Sequence, residues 1–246
     1  GGTLDCASYT FTSSTAVASN VTLDGTLLLG SGTAKFSKLD SVGASSAINF
    51  GSGTLELTGT GTTTINAGCT ITAGTGTLKV TNSSSSSKTL GLAGKTYNNL
   101  WLAHGSTGTV TISGSNTFND YKITSTTGAV LHTAGTTQTV SSIDWNGTAG
   151  NLVTVRSTSN GSAWNISKSG GTVTVNNCSI RDSAAASERR HQDTFEAVHE
   201  TLAEIVEIRC GTDDFTVSGE QCPHPCAEGD ATGAVVGYQA GVASAG

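Results

Sequence analysis

The chain has 246 residues, among them 32 Gly and 2 Pro but no Met, and only 12% of its residues are charged. This is about half of the roughly 25% that is usual for soluble domains, which indicates a surface kept soluble by Ser and Thr hydroxyl groups. A net charge of −6 without a basic stripe disfavours nucleic-acid binding, and the absence of a run of about 18 apolar residues excludes a transmembrane helix.

Charge is divided unevenly along the chain. Residues 1–187 have a net charge of +2, whereas residues 188–246 have a net charge of −8. The change predicts a β-domain over residues 1–183 and an acidic C-terminal module over residues 184–246. Because the chain begins at Gly1 and contains no Met, we expect the natural start to have been removed or the chain to be a segment of something longer.

A repeat of about 22 residues runs through the first domain. One series of apolar residues recurs at intervals of 21 to 23 and consists of Phe36, Leu57, Val80, Leu102, Ile123, Trp145 and Ile166. A second recurs at intervals of 20 to 22 and consists of Leu27, Ile48, Cys69, Leu90, Val110, Leu131, Val153 and Val175. A fixed period of this length is typical of solenoids, in which each coil buries its inward face against its neighbours.

Within each period, polar and apolar residues alternate, as in Thr54–Leu57 and Thr172–Val175, and Gly-Ser, Gly-Thr or Asn-Gly steps follow. Alternation predicts short strands with one face inward, and the glycine steps supply tight corners. Proline, which would interrupt the hydrogen-bond ladder, is absent before Pro223. The sequence therefore predicts an all-β fold, a parallel β-helix, with a β-sandwich of many short strands as the alternative.

Few residues could act as catalysts. Asp120 and Asp144 are about one coil apart and could stack as a pair of carboxylates, which glycosidases require, and Asp182 lies further along. Each also fits a turn in which Asp caps backbone amides. His104 and His132 have no neighbouring nucleophile, so we expect exposed or hydrogen-bonded structural side chains. The sequence predicts no catalytic, cofactor-binding or metal-binding residues, and no enzyme.

Over roughly residues 90–183 the chain resembles glycine- and threonine-rich parallel β-helix proteins of bacteriophage appendages, such as tail fibres and tailspikes, and of bacterial surfaces. The segments that carry the resemblance are Gly94–Leu100, Ser115–Ile123, Ala134–Val140, Gly147–Ser157, Ser162–Lys168 and Ser179–Ser183. The resemblance implies a right-handed β-helix with a structural role in the virion, and it ends at Ser183.

The acidic module begins with a predicted helix over residues 188–209. Ser187 is a suitable N-cap, and Phe195, Val198, Leu202 and Ile205 recur at helical spacing. One apolar seam is consistent with a helix that caps the open end of the solenoid. It is also consistent with a short trimeric coiled coil, so both alternatives remain.

The six cysteines fall into two groups. Cys69 and Cys178 lie within the repeat and are expected to be small core residues. Cys210, Cys222 and Cys226 cluster in the acidic module, where they could form a disulfide, stay reduced, or bind zinc together with His224. The spacing matches no established zinc-finger pattern, so no metal is predicted.

These observations predict a structural virion protein, a phage tail or capsid-attached fibre or spike, with possible attachment to a host glycan. Its expected partners are other virion proteins and further copies of itself, with a trimer as the guess, and its expected location is the virion. The alternatives are a secreted bacterial adhesin on the bacterial surface and a polysaccharide depolymerase built on a β-helix.

Overall fold

The computed structural model describes residues 2–12, 20–41, 45–105, 107–124, 128–148, 151–185 and 215–217. These residues form twenty-three short strands and no helix. The strands in chain order are β1 Thr3–Asp5, β2 Thr10–Thr12, β3 Asn20–Leu23, β4 Thr26–Leu28, β5 Thr33–Phe36, β6 Lys38–Ser41, β7 Ala47–Asn49, β8 Thr54–Leu57, β9 Gly61–Thr64, β10 Thr70–Thr72, β11 Thr77–Val80, β12 Lys88–Gly91, β13 Thr96–Leu102, β14 Val110–Ser113, β15 Thr117–Thr124, β16 Ala129–His132, β17 Thr137–Asn146, β18 Val153–Ser157, β19 Trp164–Lys168, β20 Val173–Asn176, β21 Cys178–Ile180, β22 Ser183–Ala185 and β23 Phe215–Val217.

Strands one coil apart pair side by side and build three sheets. Sheet A has the order β1-β4-β7-β10, and sheet B has the order β2-β5-β8-β11-β13-β15-β17-β19-β22, with β20 also paired to β17. Sheet C has the order β3-β6-β9-β12-β14-β16-β18-β21-β23. In the described residues every strand pairing is parallel except that of β21 with β23. The chain is therefore an all-β solenoid of about seven turns, which confirms the predicted coil architecture.

The first apolar series is a true interior row of sheet B. Phe36, Leu57, Val80, Leu102, Ile123 and Trp145 are successive register partners. Each is at most 1% exposed. Their spacing stays between 21 and 23 residues because each coil of sheet B returns to the same height after a turn of nearly constant length.

The last member of that series was predicted wrongly. Ile166 pairs with Gln138, and the partner of Trp145 is Val175, thirty residues further along the chain. The reason is an insertion over residues 169–172 between β19 and β20, where Gly170 and Gly171 both have positive φ. The inserted corner lengthens this coil, so a constant interval of 22 places the row on the wrong strand.

Most of the second series is also wrong. Leu27 and Ile48 are partners in sheet A, but the next residue in that row is Ile71, not Cys69. Val110 lies in sheet C, where it pairs with Lys88 and Val130. Partner separations in sheet C range from 18 residues for β3 with β6 to 27 for β9 with β12, because the intervening turns differ in length.

The coil changes shape along the solenoid. Sheet A has four strands, and from β13 onward the long strands β13, β15 and β17 bend in the middle instead. Two consecutive side chains point away from the core at each bend, at Asn98–Asn99, Asn119–Asp120 and Ser141–Ser142. The bends stack on one another, so the outer face of sheet B continues uninterrupted beside a polar corner.

The interior becomes aromatic in the later coils. The rings of Tyr97 and Phe118 stack with centroids 6.0 Å apart, and Tyr121 meets Trp145 edge-on at 5.4 Å. Trp164 stacks on His132 at 4.1 Å. Aromatic pairs at these separations add to the stability that comes from apolar burial.

Several predictions lie outside the described residues. They are the helix over 188–209, Cys210, Cys222, Cys226 and His224. In the part of the chain that the structure describes, there is no helix long and apolar enough to cross a membrane.

Candidate functional site

A row of charged and aromatic side chains runs along the outside of sheet B. We call it the outer row, and it consists of Lys35, Glu56, Lys79, Trp101, Lys122 and Asp144. Each of its residues immediately precedes a member of the buried interior row, so strand alternation turns it to the opposite face. Adjacent members are register partners about 4.8 Å apart.

The N-terminal part of the outer row is an ion pair. Lys35 Nζ lies 3.1 Å from Glu56 Oε2, and the Thr81 hydroxyl donates to Glu56 Oε1 at 2.8 Å. Burial raises the pKa of Glu56, but the hydrogen bonds from Thr81 and Lys35 and the nearby positive charges outweigh burial and leave this pKa below its ordinary value. The Glu56 carboxylate therefore stays ionised.

Trp101 lies at the centre of the row between two lysines. Lys79 Nζ is 4.3 Å from the centroid of the Trp101 ring, within cation–π range, and Lys122 Nζ is 6.0 Å from it. The indole Nε1 donates to Thr124 Oγ1 at 2.9 Å, which fixes the orientation of the ring. Trp101 is half-buried, so part of its ring is accessible on the outer face.

The C-terminal part of the row is a polar network. Lys122 Nζ lies 2.5 Å from Asp144 Oδ2, and Asn146 Nδ2 donates to the other oxygen of the same carboxylate. Asn176 in turn donates to Asn146 Oδ1 at 2.7 Å. The lysine and asparagine hold the Asp144 carboxylate in one orientation, with 29% of the side chain exposed.

The structure brings Asp120 and Asp144 to adjacent coils on the same outer face, as the sequence spacing suggested. Asp120 pairs with Ser142, two positions before Asp144, which puts the two Cα atoms about 8 Å apart from the strand spacing and rise. Burial, and secondarily the charge of Asp144, raise the pKa of Asp120, while Lys122 partly offsets them. The two carboxyl groups therefore have different environments.

Asp182 is separate from this pair and has a structural role. Its φ is +50°, and its Oδ1 accepts a hydrogen bond from the Gly161 amide at 3.0 Å. Its carbonyl oxygen also accepts from the Trp164 amide at 2.9 Å. Asp182 thus fastens one corner to the next coil, as expected of a turn aspartate.

Both candidate histidines are inside the solenoid and fully buried. The Tyr121 hydroxyl lies 3.2 Å from His132 Nε2, which agrees with the expected hydrogen-bonded role. His104 differs from that expectation, because neither ring nitrogen has a hydrogen-bond partner in the described part of the chain. Burial lowers the pKa of His132 to about 3 and that of His104 to about 4, so both are neutral near pH 7.

Cys69 and Cys178 are buried core residues, as predicted, and Cys6 is buried as well. All three are free thiols. Among the described residues no group of three or more His, Cys, Asp or Glu side chains is arranged to hold a metal ion.

A groove of about 500 Å³ lies on the outside where sheets B and C meet. Its lining includes Ser37, Lys38, Gly59 and Asn82, and no carboxylate is among the lining residues. Hydroxyl and amide groups could bind a sugar there, but a groove that cleaves glycosidic bonds needs a carboxyl pair. The groove is distinct from the Asp120 and Asp144 pair on the later coils.

The search for catalytic groups in the sequence missed Trp101, Lys79 and Lys122. The signal that could have found them was present, because each lies one position before a member of the interior series. Assigning those preceding positions to one outer row would have placed a tryptophan between two lysines.

Comparisons with protein-family models, with curated proteins and with solved structures find no match to this chain.

Proposed function

We propose that this chain is a structural β-helix of a virion appendage, a phage tail or capsid-attached fibre or spike that attaches to a glycan on the host surface. The observation that carries the proposal is the unbroken interior row from Phe36 to Trp145, in which six coils stack in register. Stacked coils give a stiff rod about 35 Å long for seven turns. A rod with a polar, repetitive surface suits mechanical attachment.

The proposal includes a right-handed solenoid and assembly as a homotrimer. A crossover between parallel strands of one sheet is right-handed in about 98% of cases, and this favours that hand. The fibre would contact other virion proteins as well as further copies of itself.

The test is a cryo-EM map of the native particle or filament that carries the chain, together with mass spectrometry of purified particles. We expect the chain in the particles, in repeated or threefold copies and with a right-handed coil. Its absence from purified particles would overturn the virion role. A signal peptide in the upstream gene sequence, with the protein on the bacterial surface, would favour the adhesin alternative.

A polysaccharide depolymerase is the second candidate function. It is favoured by one observation, the unequal carboxyl groups of Asp120 and Asp144 on adjacent coils, of which one has a raised pKa and the other is paired with Lys122. Glycosidases use one protonated and one ionised carboxyl group in this way. Release of reducing ends from capsular polysaccharides, abolished by Asp120→Asn, would support it, and no release by the native chain would reject it.

A further inference from the structure

We infer that the outer row around Trp101 binds an acidic saccharide, with a pyranose ring against the exposed part of the indole and the sugar carboxylate at Lys79. This inference deepens the glycan attachment proposed above and rests on it for its biological meaning. The binding itself can be measured on the isolated chain.

The position of Trp101 is the first step. Trp145 and Trp164 are fully buried in the solenoid, whereas Trp101 projects outward from sheet B. Side chains around it are hydroxyl or amide groups, among them Asn99 and Thr124. A large aromatic ring on a polar sheet face offers apolar area to a ligand that is itself amphipathic, and the C–H face of a pyranose ring has that character.

The two lysines select the charge of the ligand. Lys122 is already paired with the Asp144 carboxylate. Lys79 contacts the Trp101 ring, and within the described residues no carboxylate lies within ion-pair distance of its ammonium group. A carboxylate on a sugar that stacks on Trp101 would complete an ion pair with Lys79, which a neutral sugar cannot do.

The remaining polar groups match sugar hydroxyls. Asp144 and Asp120 accept hydrogen bonds, and Asn146 and Asn99 both donate and accept. They lie on one side of Trp101 along the row, with Lys79 on the other side. This arrangement gives the saccharide a direction, with its carboxylate toward β11 and its hydroxyls toward β17.

Titration of the chain with oligogalacturonate and with a hyaluronan oligosaccharide tests the inference, with maltohexaose as the neutral probe. Tryptophan fluorescence reports on Trp101, and calorimetry gives the affinity. We expect at least one acidic probe to bind, with affinity falling as salt is raised and about tenfold weaker in Trp101→Thr and in Lys79→Gln. Threonine is chosen because it already occupies outward positions of this sheet.

Lys168→Gln is the matched control, since Lys168 donates only to nearby carbonyl groups of Gly170 and Gly171 and lies outside the row. We expect it to bind like the native chain, and circular dichroism should show that all three variants fold. Absence of binding by both acidic probes overturns the inference, as does equal binding by Trp101→Thr. Equal affinity for maltohexaose overturns the selection of charge.

The two proposals can fail separately. A chain that is present in particles but binds no acidic saccharide retains the virion role and loses the Trp101 site. A chain that binds through Trp101 but is absent from particles retains the site and loses the virion role.

Discussion

Gly51 lies directly over the carbonyl group of Gly30 on the preceding coil, and a Cβ atom added to Gly51 would be 2.4 Å from the Gly30 oxygen. The contact is close because the Ser52 amide donates to that same oxygen at 2.7 Å. Gly74 stands in the same relation to Gly51, at 2.0 Å. All three glycines have φ between +53° and +58°, so one corner geometry repeats along the early coils.

Gly51→Ala is therefore expected to destabilise the solenoid by about 3 kcal/mol or more, because the backbone clash adds to the cost of a left-handed conformation. Urea unfolding followed by circular dichroism measures the change. Gly135→Ala is the control, since Gly135 has φ +75° but nothing within 4 Å of an added Cβ. It should cost only about 1–2 kcal/mol. Equal losses in the two variants would show that the contact with Gly30 is unimportant.

Trp145 and Trp101 make a second contrast, because they lie on opposite faces of sheet B. Trp145 is fully buried against Tyr121. Trp145→Ala should lower the free energy of unfolding by about 3–5 kcal/mol, as expected for a large core truncation. Trp101→Ala should lower it by less than about 1 kcal/mol, because it removes mainly an exposed cation–π contact. Urea unfolding of both variants tests this order, and a larger loss for Trp101→Ala would contradict the assignment of faces.

The interior row could be predicted as far as Trp145 because the coils of sheet B have nearly constant length. The prediction failed at Ile166 because an insertion at residues 169–172 leaves the apolar pattern intact and changes only the number of residues per coil. In sheets A and C, turns of unequal length separate similar apolar residues. A fixed interval therefore joined Ile48 to Cys69, although Ile71 is the true partner.

The candidate site was predictable only in part. The adjacency of Asp120 and Asp144 followed from their separation of about one coil. The place of Trp101 did not follow from any motif, because its neighbours Lys79 and Lys122 are 22 and 21 residues away in the chain. Only the exact register between coils makes them neighbours, and a shift of one residue would have turned the tryptophan into the core.

Burial should protect Cys178 from alkylation. Burial raises the pKa of Cys178 to about 11, although hydrogen bonds with the backbone of Gly147 and Asn176 act in the opposite direction. The reactive thiolate is therefore scarce at pH 8. We expect iodoacetamide to leave Cys178 unmodified in the native protein and to modify it fully in urea, as measured by peptide mass spectrometry. Rapid native labelling would show that the last coils open readily.

Acid should destabilise the solenoid through its buried histidines. His132 has a pKa of about 3 in the folded protein, against an ordinary value of 6.5, because burial disfavours its charged form. The unfolded chain therefore binds more protons below pH 6.5, so this contribution to stability is present above pH 6.5 and is lost as the pH falls toward 3. Between pH 7.5 and 5.5, His132 alone should lower the free energy of unfolding by about 1.4 kcal/mol.

His132→Phe tests this contribution directly. Phenylalanine keeps an aromatic ring against Trp164 but cannot titrate, and it leaves the Tyr121 hydroxyl without its partner. The variant should be less stable than the native chain at pH 7.5, yet its stability should fall less between pH 7.5 and 5.5. Urea unfolding at these two pH values gives both quantities. An unchanged pH dependence would mean that His132 is already protonated in the fold, and the buried neutral imidazole would have to be abandoned.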